Sequence, residues 1–446
     1  MIRESSAGYR ILCGCVAALA LALMPGDAAW NGTPPLPAPG VLMVQTDIEN
    51  KKDVILQRYR DKKEELVRSP EEMKQMLAEI QKNIKEKNMH FVVGINEMMK
   101  YKISDITGIQ VPRNIEKDAK VQSELGKRLW NEFMKKYREH LHKESDGGER
   151  FRKKGKRGCD YCEEMGDDER AIKDEAEEKE IKKNEPAAGE ERKKKDEQAE
   201  ELMRTDIDNA PSPDSGAFDW AGRNAVSPAK LQGICGSCWA FSSLAAMEAN
   251  FMIRKNWSVD LSEQHILDCA VSEQPVSRGG RVVYVKSKAG TCQGGWYGPV
   301  FEYCLKHGVP LETQVPYLFR ESTCVASGPS RYTIVSWGYV RADAGIPSVR
   351  EMKEALCTYG PVVACVKITP ALQAYRSGIF DEFVDCSGEK DINHAVTIVG
   401  WDDDRQAYRV KNSWGSEWGE KGFCWIRYGC NNIGYGAAWV VVNSME

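Results

Sequence analysis

Two cysteines and two glycines stand together in Gln232-Gly233-Ile234-Cys235-Gly236-Ser237-Cys238-Trp239-Ala240-Phe241, ahead of a helix-compatible run from Phe241 to Lys255. That spacing puts the Cys238 thiol at a helix N-terminus. The positive end of the helix dipole there favours the thiolate, the nucleophilic form of cysteine. Cysteine nucleophiles work with an imidazole partner. Three histidines lie beyond residue 211: His265, His307 and His394. His265 sits in the polar-led segment Leu261-Ser262-Glu263-Gln264-His265-Ile266-Leu267 and reads as a surface position. His307 precedes Gly308 at the end of a helical run, where a cation suits the dipole. His394 opens the apolar strand Ala395-Val396-Thr397-Ile398-Val399-Gly400. From the residues alone, His394 reads either as a base or as a satisfied core histidine.

The elements that must carry this pair lie in a distinct part of the chain. The 446 residues hold 62 Lys+Arg and 66 Asp+Glu, a net of −4, which disfavours a basic nucleic-acid binder and a polyanion alike. The balance hides a split: 82 of the first 210 residues are charged, against 46 of the last 236. The sparsely charged part also holds 10 of the 12 tryptophans and is long enough for a sizeable core. The Pro/Ser-rich stretch Asn209–Ser215 marks the boundary, and the globular domain is read as residues 212–446.

The first 28 residues read as an export signal: Arg3 and Arg10, the apolar run Ile11–Met24, Pro25, then small residues up to Ala28. An uncleaved anchor is the alternative. No later stretch is long and apolar enough to span a bilayer, so no stable membrane association is expected. Residues 29–142 read as a helical pro-region. Within it, Ser69-Pro70-Glu71-Glu72 forms a capping box ahead of Met73, Met76, Leu77, Ile80 and Ile84 at helical spacing. Phe91–Ile95 is strand-like, and a further amphipathic helix runs from about Val121 to His142. Residues 143–211 are a charged, low-complexity linker, either a solvated helix or disordered. Cys159 and Cys162 lie inside it, and a lone CxxC lacks the other ligands of a structural zinc site. Eleven of the 15 cysteines follow residue 230, as in an exported, disulfide-bonded domain. Eleven is odd, so at least one remains a thiol.

The segment around Cys238 resembles the papain-like cysteine proteases, whose signature is close to CGSCW with a distant His and Asn. The resemblance extends from Phe218 to Val442. It includes Phe218-Asp219-Trp220, Leu261-Ser262-Glu263-Gln264, Asp268-Cys269, Cys292-Gln293-Gly294-Gly295, Val315-Pro316-Tyr317, Asn393-His394-Ala395-Val396 and Lys411-Asn412-Ser413-Trp414-Gly415. It implies an α+β fold of two lobes, one mostly helical and one β-barrel-like, behind the charged pro-region. It also implies Cys238 as nucleophile, His394 as base, Asn412 as the amide orienting the imidazole, and Trp414 shielding that bond. Gln232 and the Cys238 N–H would stabilise the oxyanion, one such donor contributing ~3 kcal/mol. Gly294 and Gly295 would pair with extended substrate backbone, while Trp296, Tyr297, Ile392 and Ala438 would line the main specificity pocket. Two disulfides are implied, Cys235–Cys292 and Cys269–Cys324. For the family's third bridge Cys386 is present but Ile433 stands where its partner is expected, with Cys424 or Cys430 as substitutes. Residues 271–291 exceed the family's usual link and read as an exposed, solvated basic loop, with bordering the cleft and contacting acidic substrates as the alternative. They lack paired histidines of a dipeptidase type, which favours endopeptidase action.

The expected protein is thus an extracytoplasmic cysteine endopeptidase made as a zymogen, without cofactor or metal. Its partners would be polypeptide substrates and its own pro-region as inhibitor. A scaffolding protein that kept the fold without turnover is the alternative, and acyl transfer by the same thioester chemistry is a third reading. No acidic residue is expected at the base of the pocket, so an apolar side chain should be preferred two residues before the cut. Profiling with fluorogenic peptides checks this: Leu should outperform Arg at that position, and the reverse order would overturn it.

Overall fold

In the computed structural model Ser69 Oγ accepts from the Glu72 N–H at 3.2 Å, and the Glu72 carboxylate accepts from the Ser69 N–H at 2.7 Å. This closed capping box starts helix α1 (Pro70–Glu86), whose stripe buries Met73 and Ile80. The structure describes residues 68–154 and 212–443, apart from 326–329, 385 and 387. The export-signal reading, Cys159, Cys162 and the stretch 155–211 lie outside the described residues, all of which belong to one unit, Ile55–Glu446.

After α1 come β1 (Phe91–Val93), a 3₁₀ turn (Glu97–Lys100), the single turn α2 (Ile103–Ile106) and the long α3 (Ile115–Lys154). Helix α3 is longer at both ends than the expected helix and continues twelve residues into the charged stretch. The C-terminal part then runs β2 (Ala217–Asp219), α4 (Cys238–Lys255), α5 (Glu263–Cys269), β3 (Val271–Arg278), β4 (Arg281–Lys288), β5 (Gly290–Thr291), β6 (Gly294–Gly295) and α6 (Tyr297–Cys304). It continues as β7 (Ile334–Tyr339), α7 (Val349–Tyr359), β8 (Val362–Val366), α8 (Pro370–Gln373), β9 (Tyr375–Phe380), β10 (His394–Asp402), β11 (Ala407–Lys411), β12 (Phe423–Arg427) and β13 (Tyr435–Val442).

The main sheet has the order β1-β9-β12-β11-β10-β8-β13-β7, with β2 also on β10. Its pairs are antiparallel except β9 with β12. The path is open, so the sheet lobe is not a closed barrel among the described residues. Strands β8 and β13 are apolar at nearly every position because both faces are covered. On β8, Val362, Ala364 and Val366 enter one core while Val363 and Cys365 enter the other. On β13, Ala437, Trp439 and Val441 alternate in the same way with Ala438, Val440 and Val442. The first core also takes the α1 stripe, and the second takes Trp239, Leu244, Met247 and Phe251 of α4. These two cores are the two lobes.

The pro-region reaches both ends of this sheet. Strand β1 adds to β9, with Phe91 opposite Gly378. At the far end α3 lies along β7: Ser123 Oγ donates to the Tyr339 carbonyl at 3.4 Å, and Ser336 Oγ donates to the Gly126 carbonyl at 2.6 Å. Trp130 packs edge-on to Tyr359 and beneath the Arg254 guanidinium. The β7 edge is therefore covered by α3, while β1 extends the other end of the sheet by one short strand.

Candidate active site

Cys238 is the first residue of α4 and is fully buried. The Cys235–Cys292 disulfide holds the loop in front of it, and Cys269–Cys324 closes a second loop. Both implied bridges therefore form. Cys304, Cys365, Cys424 and Cys430 remain thiols, so neither proposed substitute completes a third bridge. His394 is the first residue of β10, and Asn412 follows β11, which pairs with β10. His394 Nε2 lies 2.8 Å from Asn412 Oδ1. That oxygen also accepts from the Ser413 N–H at 2.8 Å, which orients the amide with its oxygen toward the ring. Trp414 is buried with its ring centroid 5.0 Å from that of His394, keeping water from this bond. The other ring nitrogen, Nδ1, is buried without a hydrogen-bond partner. The N–H of Ala395, the next residue on β10, points at Cys238 Sγ from 3.4 Å. Helix α4 and strand β10 thus bring thiol and imidazole to one place.

Gln232 is held from both sides. Its Oε1 accepts from Ser413 Oγ at 2.5 Å, and its Nε2 donates to the Cys235 carbonyl at 2.8 Å. Nε2 also lies 3.3 Å from the carbonyl oxygen of Ile106, which Trp414 Nε1 reaches at the same distance. Ile106 belongs to the pro-region, and the chain after it passes over the thiol. Gln110 N–H donates to Gly295 O at 3.0 Å, Gly295 N–H to Gly108 O at 3.0 Å, and Ile109 N–H to Asn393 O at 3.2 Å. The bridge between Ile109 and Gly295 is parallel. Only glycine fits at 108, where a Cβ would stand 2.0 Å from the Gly236 carbonyl oxygen.

This cover sets the electrostatics. Burial pushes the Cys238 thiol up to about 11, against the smaller opposing effect of the Ala395 and Gly108 N–H groups. Burial likewise lowers His394 to about 4, against the Asn412 hydrogen bond. With the cleft covered, both groups are therefore neutral at pH 7.

Trp296 and Tyr297 are buried and stack on each other at 4.3 Å. Trp296 Nε1 donates to Tyr339 Oη at 2.8 Å, and the Tyr297 hydroxyl donates to the Gly436 carbonyl. Both belong to the second core with Ala438, and Ile392 packs against it. Ile115 of the pro-region lies in that same core, with Ile109 and Val111 packed against it. His265 is buried rather than on the surface, with Nε2 3.0 Å from Tyr303 Oη. Residues 271–288 form the β3–β4 hairpin rather than a loop.

One group behind the site has no motif in the sequence. Glu248, on the buried side of α4, accepts from Lys230 Nζ at 2.8 Å, Ser227 Oγ at 2.5 Å and the Leu261 N–H at 2.9 Å. Lys411 Nζ donates to Ser227 Oγ at 2.8 Å. Burial alone would raise the Glu248 pKa, but attraction to Lys230 and Lys411 and the hydrogen bonds from Lys230 and Ser227 outweigh it and hold it below the ordinary value. The signal that could have revealed it is an acidic residue in the otherwise apolar run Leu244–Ala249.

Residues 214–442, just over half of the chain, match the family model described as papain family cysteine protease. The chain is 34% identical over 226 residues to a cathepsin L-like proteinase of Phaedon cochleariae, covering 50% of this chain and 63% of that protein. It is 33% identical over 223 residues to fruit bromelain of Ananas comosus, covering 49% and 56%. The matched part thus spans less than two thirds of either relative. A solved structure of digestive procathepsin L 3 from the Tenebrio molitor larval midgut aligns at 31% identity and a TM-score of 0.44, over 52% of this chain and 71% of that one. The chain belongs to the papain family of cysteine proteases.

Removing the Glu248 carboxylate leaves Lys230 with Asp260 and Glu263 but takes from the buried Lys411 its largest electrostatic attraction. Breaking a buried ion pair from one side costs ~3–5 kcal/mol, so Glu248→Ala should lose about that much stability. Urea unfolding measures it, and a midpoint equal to that of the wild type would remove the cluster from any structural role.

Proposed function

We propose that the protein is a cysteine endopeptidase made as an exported zymogen, with Cys238 as nucleophile, His394 as acid and base, Asn412 as orienting residue and Gln232 as oxyanion donor. The observation that carries this is the Ile106 carbonyl oxygen within reach of Gln232 Nε2 beside the His394–Asn412 pair, where a scissile carbonyl would sit. Once the cleft is open, the thiolate of Cys238 attacks the carbonyl carbon of a peptide bond. The oxyanion takes hydrogen bonds from Gln232 Nε2 and the Cys238 N–H. The His394 imidazolium then gives its proton to the departing amine, leaving a thioester and neutral imidazole. Water attacks the thioester with its proton passing to His394, and the acid leaves as the thiolate re-forms. Asn412 suits its position because it fixes the ring without adding charge.

The pro-region occupies this cleft through backbone hydrogen bonds of Gly108, Ile109 and Gln110 to Gly295 and Asn393. Its aliphatic residues Ile109, Val111 and Ile115 share the apolar region of Trp296, Ile392 and Ala438, which supports an apolar pocket filled by the inhibitor itself. Cover and neutral pair together describe an inactive precursor.

The test compares the chain freed of its pro-region with its Cys238→Ala partner. The former should cleave peptides and be labelled by an epoxide inhibitor, and the latter should do neither. Gln232→Ala should lose ~10²–10³ in kcat while still being labelled. If the wild type neither labels nor cleaves under reducing conditions, the reading fails.

The covered state also carries a pH dependence. Its His394 takes up a proton near pH 4, whereas an uncovered imidazole does so near the ordinary 6.5. Where the uncovered thiol keeps its proton, the open state binds more protons between these values, so the cover loses stability as pH falls from 6.5 toward 4. Epoxide labelling of the intact chain should therefore rise across that window. A rate that stays flat, or peaks at pH 7, would contradict the assignment.

A further inference from the structure

The β3–β4 hairpin takes no part in the chemistry above. Its eight register pairs run from Val271 opposite Lys288 to Arg278 opposite Arg281, around the left-handed pair Gly279 (φ 55°) and Gly280 (φ 74°). A two-residue turn makes the Arg278–Arg281 pair a hydrogen-bonded one. The alternate pairs Ser277–Val282, Pro275–Tyr284 and Glu273–Lys286 then aim their backbone groups outward.

The two outer edges are treated differently. On β3, Ser277 donates its N–H to Asp118 of α3 at 3.0 Å, and Pro275 has no N–H to offer. On β4, the outward backbone groups of Val282, Tyr284 and Lys286 have no partner among the described residues. The side chains along this bare edge are 54% exposed at Val282 and 60% at Tyr284. Arg278, Arg281 and Lys286 make no ion pair among the described residues, while Lys288 lies 3.9 Å from Glu321. Exposed apolar side chains, open backbone groups and an excess of cations, with Glu273 opposite Lys286 as the one carboxylate of the hairpin, together form a surface for a strand of opposite charge. A second copy of the same edge would bring like charges face to face. Position adds to this. Ala289 alone separates β4 from β5, which pairs with the Gly294–Gly295 strip where the pro-region already binds by its backbone.

We propose that β4 is a docking strand for an acidic, extended segment of a protein substrate, which adds to the outer edge of the hairpin and is thereby held beside the cleft. The substrate part of this rests on the protease reading; the docking part does not.

The test uses the full chain carrying Cys238→Ala and a fluorescent peptide alternating Val and Glu, read by anisotropy. Two control peptides replace Glu by Gln, or keep the charge but carry Pro at alternate positions. The Val/Glu peptide should bind, and both controls should bind at least about tenfold more weakly. Arg281→Ala/Lys286→Ala should weaken binding about tenfold, and so should Tyr284→Pro, which removes one outward N–H and keeps every charge. Both variants alter exposed positions, and near-UV circular dichroism confirms that they fold. Equal binding of the Pro peptide would reduce the effect to charge alone and overturn strand addition. Unchanged affinity in both variants would overturn the site. In a second arm, the activated wild type should cleave one core sequence with higher kcat/KM when it carries a Glu-rich flank than a Gln-rich one. Arg281→Ala/Lys286→Ala should erase that difference and leave the unflanked core unaffected. Equal values for the two flanks would overturn the substrate role. Binding intact with no cleavage of either flank would overturn the protease reading and leave the docking strand standing.

Discussion

Three of the four groups proposed for the chemistry, Cys238, Gln232 and Asn412, are tied to one buried carboxylate. Glu248 lies ten residues beyond Cys238 on the same helix, so its position follows from the helix that carries the thiol. Through Lys230 it fixes the segment that leads to Gln232, and through Ser227 it meets Lys411, the neighbour of Asn412. Three stretches far apart in sequence are thereby pinned to one point. A buried charge is costly alone, so the cluster tolerates only the arrangement that satisfies all its members. The apolar cores around it fix the lobes; this ionic point fixes how the catalytic loops sit between them.

Local features were the readable part of this chain. The capping box at Ser69–Glu72, the helix behind Cys238 and the strand behind His394 depend on near neighbours, and all three form as expected. Asn412 and Gln232 became legible only through resemblance, because nothing local marks an amide as an orienting or donor group. The His265 reading failed for a non-local reason: Tyr303, on α6, supplies the partner that lets its ring be buried. The hairpin was misread as a loop although Gly-Gly between runs of Val and Tyr is a turn signal; its lysines and arginines masked the alternation. Helix α3 buries Ser123, a polar residue no amphipathic pattern would place inside, because β7 offers it a carbonyl.

The pro-region is more than a plug. It supplies the last strand at one end of the sheet and a helix at the other, and between them threads the cleft. Covering the cleft also removes water from Cys238 and His394, which disfavours their charged forms. Steric exclusion and electrostatic silencing thus arise from the same few residues, Ile106 to Gln110.

The described contacts that hold the pro-region all lie before residue 138, whereas the domain resumes at residue 212. A cut anywhere between Lys154 and Ser212 therefore breaks the covalent tether and leaves each of those contacts in place. What changes is the effective concentration. Before the cut the inhibitor is an intramolecular ligand that no dilution can remove; afterwards it is a separate chain whose occupancy depends on total protein. Severing and switching on are then distinct events, and the severed pair remembers its inhibition for as long as it stays concentrated.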